Sequence, residues 1–446
     1  MRRPQLIAAA TATGAAGVGS LAMFHPLAPA AAVLGGTLVL WVFASPFRAL
    51  LGFILILLLR PADMVPALAA LQPARVFALV ALGLWIVEKM VRQDMSWPKN
   101  KLDRYFVWLV VALLASSFRG TDPGTSFALF QDVFVKIIIL YILILNLVDS
   151  PRRAASSLLV IGAATAYLGV YALQAKVTGQ AQIEGSRAGF VGLLGDPNDL
   201  ALCLLMGMPF LASATMETRG KTRWIFGIML LAVVSGIVST QSRGGFLGLG
   251  AAAFILLREK VKSRGVQFGI LAVGMAVLVA ASGMSSRSSG GSDGDGIDES
   301  AQGRLDAWKA GLRMAKSRPL FGVGYDRFAD NYPNYVVDAV IWGKLEAHNS
   351  FVKAFAETGI FGFIPFMALV VLSFQSAKRV RARSKELDDP LERAAAGALL
   401  PTMVAYFIAA FFLSQCWSWF TYILLALVAA TERTLPPKTE PQGVTP

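Results

Sequence analysis

Ionisable side chains are scarce in this chain, and histidine and cysteine are scarcer still. Only 15% of its 446 residues are charged, against 55% hydrophobic, and it has two histidines and two cysteines. So little charge excludes an ordinary soluble domain. Cys203 and Cys416 both fall inside apolar runs, which excludes a disulfide framework and a cysteine-based metal site. The glycines show no phosphate-loop spacing, so no nucleotide site is expected. Two histidines leave acid–base chemistry at neutral pH almost no choice of residue. His25 sits beside prolines in a short turn with no companion groups, which leaves His348, in Glu346-Ala347-His348-Asn349-Ser350.

What fills the chain instead is apolar sequence. Fourteen apolar runs lie between Leu6 and Ala430. Several are shorter than the roughly 20 residues that cross a bilayer upright, so the expectation is an all-α polytopic membrane protein with 12 to 14 spans. The first run has no convincing cleavage site and a second run follows at once, so it reads as a retained helix.

The formal charge of +13 raises the question of nucleic acid, but its placement answers it. Lysine and arginine number five from Lys89 to Arg104, two at Arg152 and Arg153, three from Arg219 to Arg223, four from Arg258 to Arg264 and six from Lys378 to Arg393. The intervening short loops hold far fewer: Arg119, Lys176, Arg187 and Arg243. That is the positive-inside pattern of a membrane protein, with no nucleic-acid partner implied. Both termini are then cytoplasmic, and Arg187, Arg243 and the loop from Ser285 to Asn349 face outward. The chain divides into N-terminal spans (1–153), spans carrying Arg187 and Arg243 (154–284), the outer loop (285–349), C-terminal spans (350–430) and a cytoplasmic tail (431–446).

The outer loop opens with a Ser-, Gly- and Asp-rich stretch, Ser286 to Gly296, too polar to order itself and expected to be a tether. Asp293, Asp295, Asp298 and Glu299 depart from the EF-hand pattern after its second ligand, so no metal is expected. Asp293-Gly294-Asp295 resembles the acidic motif of nucleotide-sugar glycosyltransferases but lies on the wrong side of the membrane for a cytosolic sugar nucleotide. From Gln302 the spacing of Leu305, Trp308, Leu312 and Ala315 predicts a helix lying on the outer membrane surface, ended by Pro319. Lys309, Arg313 and Lys316 share one flank, suited to lipid phosphates, while Arg304 falls on the opposite border of the stripe. That separation suits a dedicated role as well as it suits a snorkelling anchor. Gly322-Val323-Gly324 turns the chain, and Tyr325, Phe328, Tyr332, Tyr335 and Trp342 follow. These aromatics suit either an interfacial belt or stacking on sugar faces.

Arg243, in Ser242-Arg243-Gly244-Gly245, stands where two spans meet, with glycines that let a bulky anion approach. Arg187 precedes Gly195-Asp196-Pro197-Asn198-Asp199, in which Asp196 or Asn198 caps the next helix. Asp132 and Lys136, four apart on one helix, form a structural pair or part of a polar pathway. Glu357 lies about two turns into the span from Ser350, placed to orient a partner of His348.

Taken in order, Ser242-Arg243-Gly244, Gly303-Arg304-Leu305 with Trp308, Pro319-Leu320-Phe321-Gly322-Val323-Gly324, Ala347-His348-Asn349 and Glu357-Thr358-Gly359-Ile360-Phe361-Gly362 resemble the O-antigen ligase and polymerase superfamily. The run from Gly195 to Ala201 is similar to that family as well. The resemblance covers about Gly185 to Phe374, and the spans before about Ala154 contribute nothing to it. It implies a GT-C-like, all-helical glycosyltransferase of the bacterial inner membrane that takes a glycan from undecaprenyl diphosphate at the periplasmic face. It further implies that His348 is the base, with Arg243 and Arg304, and with less support Arg187, on the diphosphate. Asn349 and Glu357 are candidate supports.

The chemistry agrees with these residue types. A diphosphate leaves as a stable anion, arginine forks bind its oxygens, and one imidazole removes the acceptor's proton. No metal or other cofactor is required, and direct attack inverts the anomeric carbon. The acceptor is left open between a glycan, lipid A core and a protein hydroxyl, the three outcomes of polymerase, ligase and protein O-oligosaccharyltransferase. The rival of another class is a lipid-linked oligosaccharide flippase or other transporter. Transporters place ionisable groups near the bilayer midplane and often repeat internally, whereas here the notable groups gather at one end and no repeat is visible.

Overall fold

A computed structural model describes residues 36–37, 40–94, 96–179, 182–183, 186–282, 299–337 and 343–435. The first apolar run, His25, the tether with Asp293, Asp295 and Asp298, Trp342 and the tail from 436 onward lie outside the described residues.

Each of the twelve apolar runs from Phe47 onward is one helix. These are α1 (Pro46–Leu59), α2 (Pro73–Arg92), α3 (Asp103–Arg119), α4 (Pro123–Leu147), α5 (Pro151–Thr178), α6 (Pro197–Glu217), α7 (Gly220–Thr240), α8 (Arg243–Leu257) and α9 (Arg264–Ser282). Two helices of the former outer loop follow, α10 (Glu299–Ser317) and α11 (Phe328–Tyr335), then α12 (Ser350–Arg383), α13 (Pro390–Ala410) and α14 (Trp419–Thr434). A two-residue hairpin, β1 (Gln182–Ile183) against β2 (Arg187–Ala188), lies between α5 and α6. Helix starts follow one recipe: Ser45, Asp122, Ser150, Asp196 and Asp389 each accept a hydrogen bond from the first turn and are followed by proline, whose missing N–H costs nothing there.

Among the described residues eight helices are long and apolar enough to cross a bilayer. α1 and α8, at 14 and 15 residues, are apolar but shorter, and α3 and α14 have 17 and 16 residues. The protein is thus a nearly all-helical polytopic membrane protein. α6 lies innermost, packed by α5, α7, α8 and α13, while α2 and α9 are peripheral.

The basic loops meet at one end of the bundle. Arg433, in the last turn of α14, donates to the Leu145 carbonyl near the end of α4, Arg393 pairs with Glu217 at 2.8 Å, and Arg381 pairs with Glu259 at 3.0 Å. His348 precedes α12, whose C-terminus carries Arg381, so the histidine is at the opposite end.

α10 differs from its expected pose. Leu305 and Leu312 are exposed, and the buried face is Ala307, Ala310, Gly311 and Met314, packed with Val323, Phe328, Tyr332, Ala347 and Ala356. Small side chains let α10 approach α12 closely, so close packing against protein, rather than the stripe of large residues, sets its rotation. Only Trp308 and Ala315 of the expected stripe turn inward, Trp308 meeting Phe411 edge-on at 5.6 Å.

The aromatic stretch differs too. Tyr325, Phe328 and Tyr332 are at most 1% exposed and belong to the core, which removes them from both roles expected for them. Tyr335 is half-buried, and its hydroxyl is bonded to Ser317 at 2.9 Å.

Candidate active site

The site is assembled on the connection between α13 and α14, residues 411–418. The His348 N–H donates to Ser414 Oγ at 3.0 Å. Ser350 Oγ donates to the carbonyls of Ala410 and Leu413 at 2.8 and 2.7 Å and accepts from the Gln415 N–H at 2.9 Å. Asn349 stands between them as the N-cap of α12, its Oδ1 accepting from Phe351 and Val352. Its support is therefore structural: it starts the helix next to the histidine. His348 itself has φ of +45°, a left-handed conformation that a side chain adopts only when its surroundings enforce it.

The imidazole is half-buried, with no hydrogen bond to a described residue. Burial holds the His348 pKa below its ordinary 6.5, and the Arg304 cation adds to that, outweighing the carboxylates of Glu346 and Asp196. Both effects favour the neutral ring, which carries the lone pair a base requires. The same coupling puts Arg304, half-buried early in α10, within electrostatic reach of the ring.

Arg243 is the first residue of α8 and is exposed. The next residue, Gly244, faces the same connection: a Cβ there would lie 3.8 Å from Ala409 Cα and Phe412 Cδ2. Ser242 caps α8, and its hydroxyl also donates to Asn198 Oδ1 at 2.8 Å. That oxygen accepts from Arg187 Nη2 as well, at 2.8 Å, while Arg187 Nε donates to the Thr240 carbonyl at 3.1 Å. Arg187, 7% exposed, therefore fastens β2 to the end of α7 and the start of α6, a structural task alongside the anion-binding role expected of it. Asp196 proves to be the cap of α6, accepting from the Asn198 N–H at 2.6 Å. The N-terminus of α6, with its positive dipole end, thus joins Arg187 and the Ser242-Arg243 corner to the carboxylate felt by His348.

Glu357 has different partners from the one expected. It is fully buried, and its carboxylate accepts from the N–H groups of Asp326 (3.1 Å) and Phe328 (2.9 Å) and from Trp417 Nε1 (2.6 Å). None of these is His348. The link is Lys353, 5% exposed, whose Nζ lies 2.9 Å from Asp326 Oδ1, 2.9 Å from Glu346 Oε2 and 3.8 Å from Glu357 Oε1. One ammonium therefore ties Glu346, two residues before the histidine, to the loop at Asp326 and to α12. Sequence reasoning missed Lys353, although a Lys four residues before a Glu in an apolar span is the spacing that drew attention to Asp132 and Lys136. It also missed Ser414 and the bond from Gln415 Nε2 to Asp199 at 2.6 Å, which no local spacing signals.

Two of the sequence motifs prove to be one object. The Val323 and Gly324 amides donate to the Ala356 and Glu357 carbonyls at 3.0 and 3.1 Å, and the Ile360 and Phe361 amides donate to Pro319 and Leu320 at 2.8 and 3.2 Å. Gly359, at φ +57°, breaks α12 there, and Gly322, at φ +67°, lies so close that a Cβ would come within 2.5 Å of the Ala356 carbonyl oxygen.

Residues 226–367 match a protein-family model described as O-antigen ligase. That segment holds Arg243, Arg304, His348, Asn349 and Glu357, while Arg187 precedes it. The exopolysaccharide production protein ExoQ of Rhizobium meliloti (strain 1021) is 26% identical over 215 residues, which are 44% of this chain and 49% of that protein. The match thus spans about half the length of this curated relative. Over these segments the polytopic helical chain is similar to the O-antigen ligase family and to a protein of exopolysaccharide production.

Proposed function

We propose that this protein is an inverting, metal-independent glycosyltransferase that moves a glycan from undecaprenyl diphosphate to an acceptor hydroxyl at the periplasmic face of the inner membrane. The observation that carries the reading is a half-buried imidazole within electrostatic reach of the Arg304 guanidinium, at the end of the bundle opposite the basic loops. His348 takes the acceptor's proton. The oxygen attacks the anomeric carbon, and the bond from that carbon to the diphosphate oxygen breaks with its electron pair. Arg243 and Arg304, with Arg187, hold the departing diphosphate, and guanidinium forks suit its oxygens. Asn349 and, through Lys353, Glu357 keep the histidine in place.

Two acceptors are favoured by different observations. The family description favours ligation of a finished glycan, as to lipid A core. The exopolysaccharide relative favours chain extension, in which the acceptor is another glycan. A protein hydroxyl is the third acceptor compatible with the same base and anion clamp. The test is transfer by the purified chain in detergent from a lipid-diphosphate glycan, with His348→Ala and Arg304→Ala beside the wild type. Both variants are expected to remain folded and to lose transfer. Normal transfer by His348→Ala refutes the base, and absence of transfer by the wild type, with lipid movement in vesicles, selects a transporter instead.

A further inference from the structure

A second polar feature reaches from the His348 end of the bundle towards its middle, in helices that the family match does not reach. A cavity of about 300 Å³ opens between the end of α1, the start of α2, the first half of α4 and the start of α14. Its charged walls are Arg60, Asp63, Arg75, Asp132 and Lys136, joined by Gln72 and Trp419. Asp132 and Lys136, 3.1 Å apart, lie 9 and 13 residues into α4, about 14 and 20 Å along the helix. A charged pair at that depth in a core about 30 Å thick is expensive in hydrocarbon. Asp132 is nevertheless 76% exposed and lines the cavity, which gives the pair a polar surrounding. The helix is arranged for this: Phe130–Phe134 is π-helical, and such insertions occur preferentially at functional sites.

The lining distinguishes this cavity from the arginines near His348. Arg60 pairs with Asp63 and Lys136 with Asp132, while Arg75 Nη1 donates to Gln72 Oε1 at 3.2 Å. Donors and acceptors therefore alternate and charge nearly cancels. A strongly anionic ligand would meet carboxylates, whereas a sugar hydroxyl, donor and acceptor at once, is matched by such pairs. Trp419 adds an aromatic surface, with Arg60 stacked 5.7 Å from its ring centre. The cavity is joined to the anchor of His348 through the chain. Five residues, at most about 19 Å of chain, separate Trp419 from Ser414, which holds the His348 amide. On its far side Asp63 packs against Gly192, on the segment that follows Arg187.

We infer that this cavity is a saccharide subsite that seats the sugars of the acceptor chain beside His348. The inference rests on the glycosyltransferase reading and adds a seat for the second substrate. It also gives the N-terminal helices a task and makes Asp132 and Lys136 acceptor-binding residues.

The probe is a labelled oligosaccharide released from the surface polysaccharide of the host cell, bound to the purified full chain in detergent by equilibrium dialysis. Equal binding by wild type and His348→Ala is expected, with affinity at least ten-fold weaker in Arg75→Ala and in Asp132→Asn combined with Lys136→Gln. Arg75 is exposed, so its removal leaves the fold unstrained, and the double substitution strands no charge. In transfer assays the same variants are expected to raise KM for the acceptor and leave KM for the donor unchanged. Wild-type affinity in both variants overturns the inference, as does displacement of the probe by equimolar inorganic pyrophosphate. A chain that binds the probe through these residues but transfers nothing refutes the proposed reaction and leaves the saccharide subsite standing.

Discussion

Lys353 offers the most stringent test of how the histidine is held. Replacing it by Met removes a cation from among three carboxylates. Asp326 and Glu346 are 38% and 43% exposed in their side chains, so each pair contributes less than about 1 kcal/mol. Glu357 is fully buried, and leaving its charge without a counterion costs about 3–5 kcal/mol, as for other broken buried pairs. Glu357→Gln alone replaces one acceptor oxygen with a donor among three N–H groups and loses a charge-assisted bond of about 1.5–3 kcal/mol. Combined, the two changes strand no buried charge, so the double variant is expected to fall short of the sum by about 1–3 kcal/mol. The assay is unfolding in SDS mixed micelles followed by tryptophan fluorescence, to which Trp417, bonded to Glu357, contributes directly. Additive losses, or a Lys353→Met protein as stable as the wild type, refute the clamp.

Two further outcomes follow from the site. Because burial and Arg304 hold the His348 pKa below 6.5, transfer at limiting donor is expected to rise with pH through a midpoint below 6.5 and stay level to pH 8. Removing the cation in Arg304→Gln moves the ring's titration upward, read by NMR of labelled histidine in a His25→Asn background; a wild-type midpoint at or above 6.5 contradicts the account. At Gly322 a side chain would enter the space of the Glu357 backbone, so Gly322→Val is expected to give no monodisperse protein on size-exclusion chromatography, and a well-behaved variant refutes the close pairing of the two loops.

Much of this architecture is legible in one dimension, for identifiable reasons. Membrane spans advertise themselves by length, and a Ser or Asp followed by Pro marks where a helix begins, as at Asp196-Pro197 and Ser150-Pro151. The alternation of basic loops separates the His348 end from the other end because it reports charge placement, which folding does not rearrange. What stays hidden depends on partners far away in sequence. α10 shows a stripe of large residues, yet a helix in a crowded bundle buries what lets a neighbour come close, and Ala307, Ala310 and Gly311 do so. Tyr325, Phe328 and Tyr332 look like surface aromatics because the loop around them is polar, and only the packing of α10 and α12 over them makes them core. For Glu357 the sequence reveals depth but not direction: its donors come from residues 326, 328 and 417.

The positions of these partners bear on where the catalytic apparatus ends. The matched segment, 226–367, supplies the histidine and two of the arginines. It does not supply the oxygen that holds the His348 amide, which belongs to Ser414, nor the Asn198 oxygen to which both Arg187 and Ser242 are fastened. α6 stands before the segment and the 411–418 connection after it, and Gln415 bonds Asp199 across the two at 2.6 Å. The proposed base would have to keep its place within a fraction of an ångström, and a left-handed residue such as His348 returns to its favoured backbone conformation once its anchors loosen. The motif residues therefore carry the proposed chemistry, while their geometry is set by helices on either side of them. Substitutions at Ser414 or Asn198 should accordingly resemble the loss of a motif residue more closely than substitutions on the exposed face of α10 do.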